Sequence, residues 1–318
     1  MARILVTAKL PGDALELLRA EHEVDLYEGP LPLPRAELLE RVREADALLC
    51  LLSEPINAEV FDAAPGLKVV ANYAVGTNNI DLELARKRGV RVCNTPDVLT
   101  ETTAELAFAL TLAVCRRIVE GDAFVRAGHF TGWEPELFLG RDVYGSTVGV
   151  IGMGRIGQAY ARRAKACGAS ILYYNRSRLP GEIEDPLGAE LVTIDELLQE
   201  SDFVSLHCPL TPETSGLLDA RRLALMKPTA YLINTARGPV VDEAALVTAL
   251  REGKLAGAGL DVYEREPELA EGLAQLENVV LAPHTGSATI KTRSRMAKMC
   301  AQDILSVLAG NDPKHPVV

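Results

Sequence analysis

A glycine-rich turn between an apolar strand and a helix constrains the fold of this chain more than any other feature. Residues 148–151 read Val-Gly-Val-Ile and run directly into residues 152–157, which read Gly-Met-Gly-Arg-Ile-Gly. Glycines at this spacing permit a tight turn, let the backbone approach a pyrophosphate and allow the next helix to pack closely, with its N–H groups facing the anion. The sequence therefore predicts a dinucleotide site formed by Gly152, Gly154, Arg155, Ile156 and Gly157.

Strand-then-helix patterns extend on both sides of this turn. Apolar runs at residues 3–8, 47–52 and 68–71 are each followed by an amphipathic stretch. A second series of apolar runs comprises residues 147–151, 170–174, 203–206, 230–234, 258–262 and 279–281. Strands that alternate with helices form parallel sheets covered on both faces. We therefore predict an α/β protein with two doubly wound parallel-sheet domains.

The length of 318 residues also favours two domains, because a single core rarely grows to that size. The helical pattern at residues 100–126 predicts one long helix between the domains, and the pattern at residues 287–308 predicts a helix that returns to the first domain. We expect a discontinuous, flavodoxin-like substrate domain at residues 1–96 and 283–318, and a Rossmann dinucleotide-binding domain at residues 97–282. A cleft between the domains would close to exclude water.

Charge and cysteine usage argue against several classes of partner. A formal net charge of -11 would repel nucleic acid and anionic membranes. The apolar opening at residues 4–6 is soon followed by Lys9, Pro11 and Gly12, too early for a signal sequence or a membrane span. The six cysteines are scattered without a Cys-x-x-Cys pair, which indicates reduced thiols rather than disulfides or zinc. We expect a cytoplasmic protein with no metal, no nucleic-acid partner and no membrane partner.

The residues after the next predicted strand bear on which dinucleotide binds. In NAD-specific sites an acidic residue about 20 positions beyond the glycines accepts hydrogen bonds from the ribose hydroxyls. Residues 175–178 of this chain read Asn-Arg-Ser-Arg, so a neutral amide is followed by two guanidinium groups, which suit a 2′-phosphate. NADP(H) is therefore expected to be preferred, with NAD(H) still usable. The residues concerned are Asn175, Arg176, Ser177 and Arg178.

Several ordered motifs accompany the glycine turn. They read Asn-Tyr-Ala-Val-Gly at 72–76, Leu-Ile-Asn-Thr-Ala-Arg-Gly at 232–238, Gly-Ala-Gly-Leu-Asp-Val at 257–262, Glu-Pro at 266–267 and Pro-His at 283–284. With them, nearly the whole chain resembles the D-isomer-specific 2-hydroxyacid dehydrogenase family, and most resembles its glyoxylate/hydroxypyruvate reductases. The resemblance implies that Arg237, Glu266 and His284 are catalytic.

The chemistry of 2-oxo acid reduction requires the same three residue types. An alkoxide develops when hydride reaches the carbonyl carbon, and an imidazolium is a suitable proton donor at neutral pH, which would be the role of His284. A carboxylate beside the ring orients it and favours the protonated form, as Glu266 would do. The planar guanidinium of Arg237 would anchor the substrate carboxylate and polarise the carbonyl.

The resemblance implies further contacts. Val75 and Gly76 would offer backbone N–H groups to the substrate carboxylate, and Leu51 and Leu52 would face the substrate side chain, beside Arg237 and His284. No residue near Leu51 is basic, so a phosphorylated substrate has no evident anchor. The remaining cofactor contacts implied are those of Thr103, His207, Cys208, Pro209, Thr235, Ala236 and Asp261.

The only tryptophan, Trp133, lies in a stretch that similar reductases carry before the first strand of the cofactor domain. The resemblance implies a homodimer in which Trp133 crosses to the substrate cleft of the partner subunit, although a partly buried position in its own subunit would explain the residue equally well.

The predicted reaction is NAD(P)H-dependent reduction of glyoxylate to glycolate and of hydroxypyruvate to D-glycerate. Two alternatives stay open on sequence alone. One is a nucleotide-sensing regulator of the corepressor type, which shares the fold and can retain the same residues. The other is a phosphoglycerate dehydrogenase, which the missing phosphate anchor disfavours.

Overall fold

The computed structural model describes all 318 residues, which form two compact units. The first unit comprises Met1–Leu99 with Ser287–Val318, and the second comprises Thr100–Gly286. Each unit contains one wholly parallel sheet with helices, so the predicted fold class is confirmed. No helix in the chain is long and apolar enough to cross a membrane.

The first unit is built on a five-stranded sheet. Its strands are β1 (Arg3–Val6), β2 (Glu23–Leu26), β3 (Ala47–Cys50), β4 (Val69–Asn72) and β5 (Arg91–Cys93), and its helices are α1 (Ala14–Arg19), α2 (Arg35–Arg41), α3 (Ala58–Ala63), α4 (Leu82–Arg88) and α12 (Ile290–Leu308). The spatial order of the strands is β2-β1-β3-β4-β5, which is the flavodoxin-like order. β3 and β4 are buried along their whole length, as expected for central strands covered on both faces.

The C-terminal helix α12 packs on the first sheet. Its residues Ala297, Cys300, Ala301 and Ile304 belong to one buried cluster together with side chains of β1, β3 and β4. The hydroxyl of Tyr73 also donates a hydrogen bond of 2.7 Å to the backbone carbonyl of Arg293. The C-terminal helix α12 therefore belongs to the same hydrophobic core as the N-terminal strand β1.

The second unit is built on a seven-stranded sheet. Its strands are β6 (Thr147–Ile151), β7 (Ser170–Tyr174), β8 (Ala189–Leu191), β9 (Phe203–Leu206), β10 (Tyr231–Asn234), β11 (Gly257–Leu260) and β12 (Val279–Leu281). Its helices are α5 (Thr100–Cys115), α6 (Ile118–Arg126), α7 (Arg155–Ala166), α8 (Gly181–Leu187), α9 (Ile194–Glu200), α10 (Ala220–Leu223) and α11 (Glu243–Arg251). The strand order β12-β11-β10-β9-β6-β7-β8 is the Rossmann order with a seventh strand, and it reverses between β6 and β9.

Two expectations about the boundaries need correction. The single helix predicted at residues 100–126 is divided into α5 and α6, because Arg117 adopts the left-handed backbone conformation at φ +53°. The expected boundaries after Pro96 and Ala282 lie instead at Leu99 and Gly286. His284 therefore belongs to the second unit, where its backbone N–H donates a hydrogen bond of 3.0 Å to the carbonyl of Asp261.

Candidate active site

The glycine turn follows β6 and can accept only glycine at two of its positions. Gly152 has φ +95°, and a Cβ there would lie 2.5 Å from the backbone nitrogen of Cys208. A Cβ on Gly157 would lie 2.3 Å from the carbonyl oxygen of Gly152. Gly154 is the N-cap of α7 and has no side chain with which to cap the helix, so an anion can approach the positive end of the helix dipole. These features fit the pyrophosphate of a dinucleotide.

The four residues predicted to select the cofactor have different surroundings. The side-chain oxygen of Asn175 accepts a hydrogen bond of 2.8 Å from the backbone N–H of Met153, inside the glycine turn. Arg176 and Ser177 are exposed, and Arg176 forms no ion pair. Arg178 differs from the expectation of a free phosphate ligand, because its Nε donates a hydrogen bond of 2.8 Å to the buried carboxylate of Glu184. Arg176 therefore forms no direct salt bridge in this loop, although its charge helps to lower the pKa of Glu213 after the hydrogen bonds of that carboxylate.

His207 and Cys208 follow β9 and lie against the glycine turn, as the close approach of Cys208 to Gly152 shows. The Nε2 atom of His207 is 2.8 Å from the hydroxyl of Ser205, and its ring lies beside that of Tyr160. Burial lowers the pKa of His207 to about 3, so the imidazole is neutral. His207 can shape the wall of the site and carries no charge to offer a phosphate.

Arg237 follows β10 on a loop held by Asn234. The side-chain amide nitrogen of Asn234 donates a hydrogen bond of 3.0 Å to the carbonyl of Arg237. The side-chain oxygen of Asn234 accepts a hydrogen bond of 3.0 Å from the backbone N–H of Ala236. The next residue, Gly238, lies so close to the backbone of Tyr263 that any Cβ would overlap it. Burial lowers the pKa of Arg237, which the negative charge of Glu266 partly opposes. The guanidinium therefore remains a charged group in a poorly solvated place, where it binds a carboxylate strongly.

Glu266 and His284 form a hydrogen-bonded pair, with His284 Nδ1 2.8 Å from Glu266 Oε2. The other oxygen of Glu266 accepts a hydrogen bond of 3.1 Å from the N–H of Tyr263. Burial acts to raise the pKa of Glu266, but the hydrogen bond and charge of His284, the Tyr263 N–H and the charge of Arg237 together lower it below its usual value. Glu266 is thus an anion, and the second ring nitrogen of His284 is left for a substrate.

The backbone at His284 is strained, with φ +52°. Asp261, which follows β11, holds the segment in this conformation: it is almost fully buried and accepts hydrogen bonds of 2.7 Å from Thr285 N–H and 2.8 Å from Gly286 N–H. A Cβ on Gly286 would lie within 3.4 Å of both Asp261 and Thr103, so these residues meet at one place. Asp261 therefore orients the loop of His284 in addition to any contact with a nicotinamide.

All these loops emerge from the same edge of the sheet. Gly152, His207, Arg237, Asp261 and His284 each lie within three residues of the carboxyl end of a parallel strand. Ligands of open α/β sheets bind at this edge, beside the point where the strand order reverses. The structural roles of Asn234 and Gly238 were missed by sequence reasoning, although an Asn that ends a buried strand before Arg-Gly was a usable signal.

The substrate residues predicted in the first unit lie on the loops after β3 and β4. Leu51 and Leu52 directly follow β3, and Val75 and Gly76 follow β4. The backbone N–H groups of Val75 and Gly76 donate to no acceptor in the protein, whereas the two carbonyl oxygens accept from Asn94 and Asn72, respectively. The free N–H groups suit an anionic ligand.

Comparisons with known proteins show the family to which the chain belongs. Residues 108–286 match the model of the D-isomer specific 2-hydroxyacid dehydrogenase family, NAD binding domain. A glyoxylate reductase from Thermococcus onnurineus is 55% identical over 98% of this chain and 94% of its own length. A solved structure of a Thermus thermophilus protein is 52% identical, covers 99% of this chain and 100% of its own, and superimposes with a TM-score of 0.94.

A second solved structure is that of an NADPH-dependent glyoxylate/hydroxypyruvate reductase from Sinorhizobium meliloti, in complex with NADP and malonate. It is 35% identical, covers 100% of this chain and 97% of its own, and has a TM-score of 0.87. Fold, glycine turn and relatives together define an oxidoreductase that uses a nicotinamide cofactor. The chain belongs to the D-isomer specific 2-hydroxyacid dehydrogenase family, as its motifs predicted.

Proposed function

We propose that this enzyme reduces glyoxylate to glycolate and hydroxypyruvate to D-glycerate, and that it uses NADPH in preference to NADH. The observation that carries the proposal is the joint placement of Arg237, an anionic Glu266 and His284 at the edge of the sheet that holds the glycine turn. The names of the relatives support the choice of glyoxylate and hydroxypyruvate.

Each of the three residues has a distinct task in this mechanism. A bound nicotinamide would supply the hydride that the carbonyl carbon accepts. Arg237 binds the substrate carboxylate and draws charge toward the carbonyl oxygen, which it does well because it is poorly solvated. Nε2 of His284 donates a proton to that oxygen, while Glu266 holds Nδ1 and stabilises the charged ring.

The proposed cofactor preference depends on Asn175 and Arg176. An amide instead of a carboxylate at Asn175 does not repel a 2′-phosphate, and Arg176 is an exposed cation without an ion pair. Because Arg178 is paired with Glu184, we assign it a supporting part only. The preference should be moderate, since an exposed phosphate contact is screened by salt.

Substrate binding is proposed to use Val75 and Gly76 for the carboxylate, and Leu51 and Leu52 for the small side chain. We further propose a cytoplasmic homodimer in which Trp133 reaches the substrate site of the partner subunit. Its side chain is 84% exposed in the single chain, which is unusual for a large aromatic residue. A structure of the assembled enzyme with Trp133 away from every partner site would refute that assignment.

The experiment that tests the proposed function is a steady-state panel with the purified protein. Glyoxylate, hydroxypyruvate, pyruvate and 3-phosphohydroxypyruvate are each assayed with NADPH and with NADH. We expect the highest kcat/KM for glyoxylate or hydroxypyruvate with NADPH. Preference for the phosphorylated acid would instead indicate a phosphoglycerate dehydrogenase, and binding of nucleotide without turnover of any acid would indicate a regulator.

A further inference from the structure

A buried glutamate lies beneath the first of the two predicted substrate loops. Glu54 follows Leu51 and Leu52 in the loop after β3, and only 2% of it is exposed. Its Oε2 atom accepts a hydrogen bond of 2.7 Å from the hydroxyl of Thr7 and one of 2.8 Å from the backbone N–H of Leu51. Its Oε1 atom is buried and has no hydrogen-bond partner. A carboxyl group in such a place needs an explanation, because burial without full pairing is costly.

No cation compensates for this burial. Glu54 forms no ion pair, and burial raises its pKa to about 7 despite the hydrogen bonds from Thr7 and Leu51. The charge of Glu54 acts on the buried thiol of Cys50, whose pKa is raised well above its usual value by burial and by that charge. An isosteric amide can therefore replace the carboxyl group and still accept from Leu51.

The same polar cluster reaches the second substrate loop. The side-chain amide nitrogen of Asn79 lies within hydrogen-bonding distance, 3.2 Å, of the backbone carbonyls of Leu51 and Glu54. It is also 3.2 Å from the side-chain oxygen of Asn72. Asn72 in turn donates a hydrogen bond of 2.7 Å to the carbonyl of Gly76. The loops after β3 and β4, neighbouring strands of the sheet, are thus tied together by the buried side chain of Asn72 and the partly buried side chain of Asn79.

We propose that Glu54 is a positioning residue for the 2-oxo acid: its side chain sets the backbone of Leu51 directly, and through the Leu51 carbonyl, Asn79 and Asn72 it sets the backbone of Gly76. The inference rests on the proposed function, which assigns these two loops to the substrate. Replacement of Glu54 by alanine would leave the partly buried Leu51 N–H without an acceptor in the protein, so the loop would shift to hydrate it. The nicotinamide nucleotide is held by the other unit, so its binding should not change.

The test compares three variants in steady-state kinetics with glyoxylate and in direct titration with NADPH. We expect Glu54→Ala to raise the KM for glyoxylate about tenfold, the effect of losing one hydrogen bond to a buried charged or polar group. We expect Glu54→Gln to stay close to the wild type, because it keeps the acceptor. The Kd for NADPH should be unchanged in both.

Asp303→Asn is the matched control. Asp303 is a fully buried acid of the same unit, and it accepts hydrogen bonds from the Lys314 N–H and from His315, outside the cluster of Glu54. It should lower stability without changing the KM for glyoxylate. If Glu54→Ala does not fold, Thr7→Val takes its place, because it removes one partner of Glu54 and should raise the KM several-fold.

Two results would overturn the assignment of Glu54. One is a folded Glu54→Ala, or Thr7→Val, with a wild-type KM for glyoxylate. The other is a change in KM that Asp303→Asn reproduces, or that glyoxylate and NADPH share, since either indicates general damage. A wild-type enzyme that fails to reduce glyoxylate would refute the proposed function itself, which is a separate outcome.

Discussion

His284 and Glu266 are joined by a hydrogen bond of 2.8 Å between Nδ1 of the ring and Oε2 of the carboxylate. The two residues lie on different loops, and each loop is fixed independently: that of Glu266 by the Tyr263 N–H, and that of His284 by the carboxylate of Asp261. The ring is therefore presented in one orientation before substrate binds, which reduces the reorganisation needed for proton transfer.

Replacement of Glu266 by glutamine should change the pH profile of the reaction. Glutamine keeps an oxygen acceptor for only one of the two partners, His284 Nδ1 or the Tyr263 N–H, and it removes the negative charge that favours a protonated imidazole. We expect reduction by Glu266→Gln to fail at a lower pH than in the wild type. The measurement is kcat/KM for glyoxylate across pH, and an alkaline limit at the wild-type position would contradict the role of the pair.

The cofactor loop makes a second prediction. Arg176→Ala should weaken the binding of NADPH about tenfold and leave the binding of NADH nearly unchanged, because only NADPH carries the 2′-phosphate that the exposed cation would contact. Asn175→Asp should reverse the preference, since a carboxylate accepts from the ribose hydroxyls and repels the phosphate.

Arg178→Ala serves as the comparison, because its guanidinium is already paired with Glu184. It should affect NADPH less than Arg176→Ala does. The measurement is kcat/KM for NADPH and for NADH, at one fixed salt concentration, in the wild type and in each variant. Equal losses for NADPH and NADH in Arg176→Ala, or a wild type that prefers NADH, would refute the NADPH assignment.

The raised pKa of Glu54 leads us to expect that the stability of the folded protein depends on pH. Its pKa is raised from 4.5 to about 7 in the folded chain, so the folded state holds this proton after the unfolded chain has released it. The stabilisation is complete below about pH 4.5 and is lost as the pH rises through about 7, up to roughly 3 kcal/mol. In Glu54→Gln this contribution is absent. Between about pH 4.5 and 7 the melting temperature of the wild type should fall relative to that of Glu54→Gln, and parallel curves would contradict the account.

The sequence predicted the central strands of both sheets better than their edges. β2, β5 and β8 were missed, and all three are short edge strands. β2 and β8 include charged residues such as Asp25 and Glu190, which an edge strand can keep partly solvated. A continuous apolar run is a clear signal for a strand, as it was for the edge strand β12, but an edge strand that carries charged residues lacks such a run.

The site shows the same limit. Arg237, Glu266 and His284 were predictable because each belongs to a short motif after an apolar strand. Glu54 was not, because a glutamate beside proline in a loop is expected to be exposed, and its burial depends on Thr7 and on the loop after β4. The ion pair of Arg178 with Glu184 was missed for a similar reason, since neither residue belongs to a motif.

The central claim is that Nε2 of His284 donates the proton during reduction of glyoxylate. The most direct test is the turnover number of His284→Ala with glyoxylate and saturating NADPH, measured beside the Kd for NADPH of the same protein. We predict that kcat falls by about 10² to 10⁴, the usual contribution of a positioned general acid, while the Kd for NADPH stays near the wild-type value. A folded His284→Ala enzyme that turns over glyoxylate at the wild-type rate would contradict the mechanism.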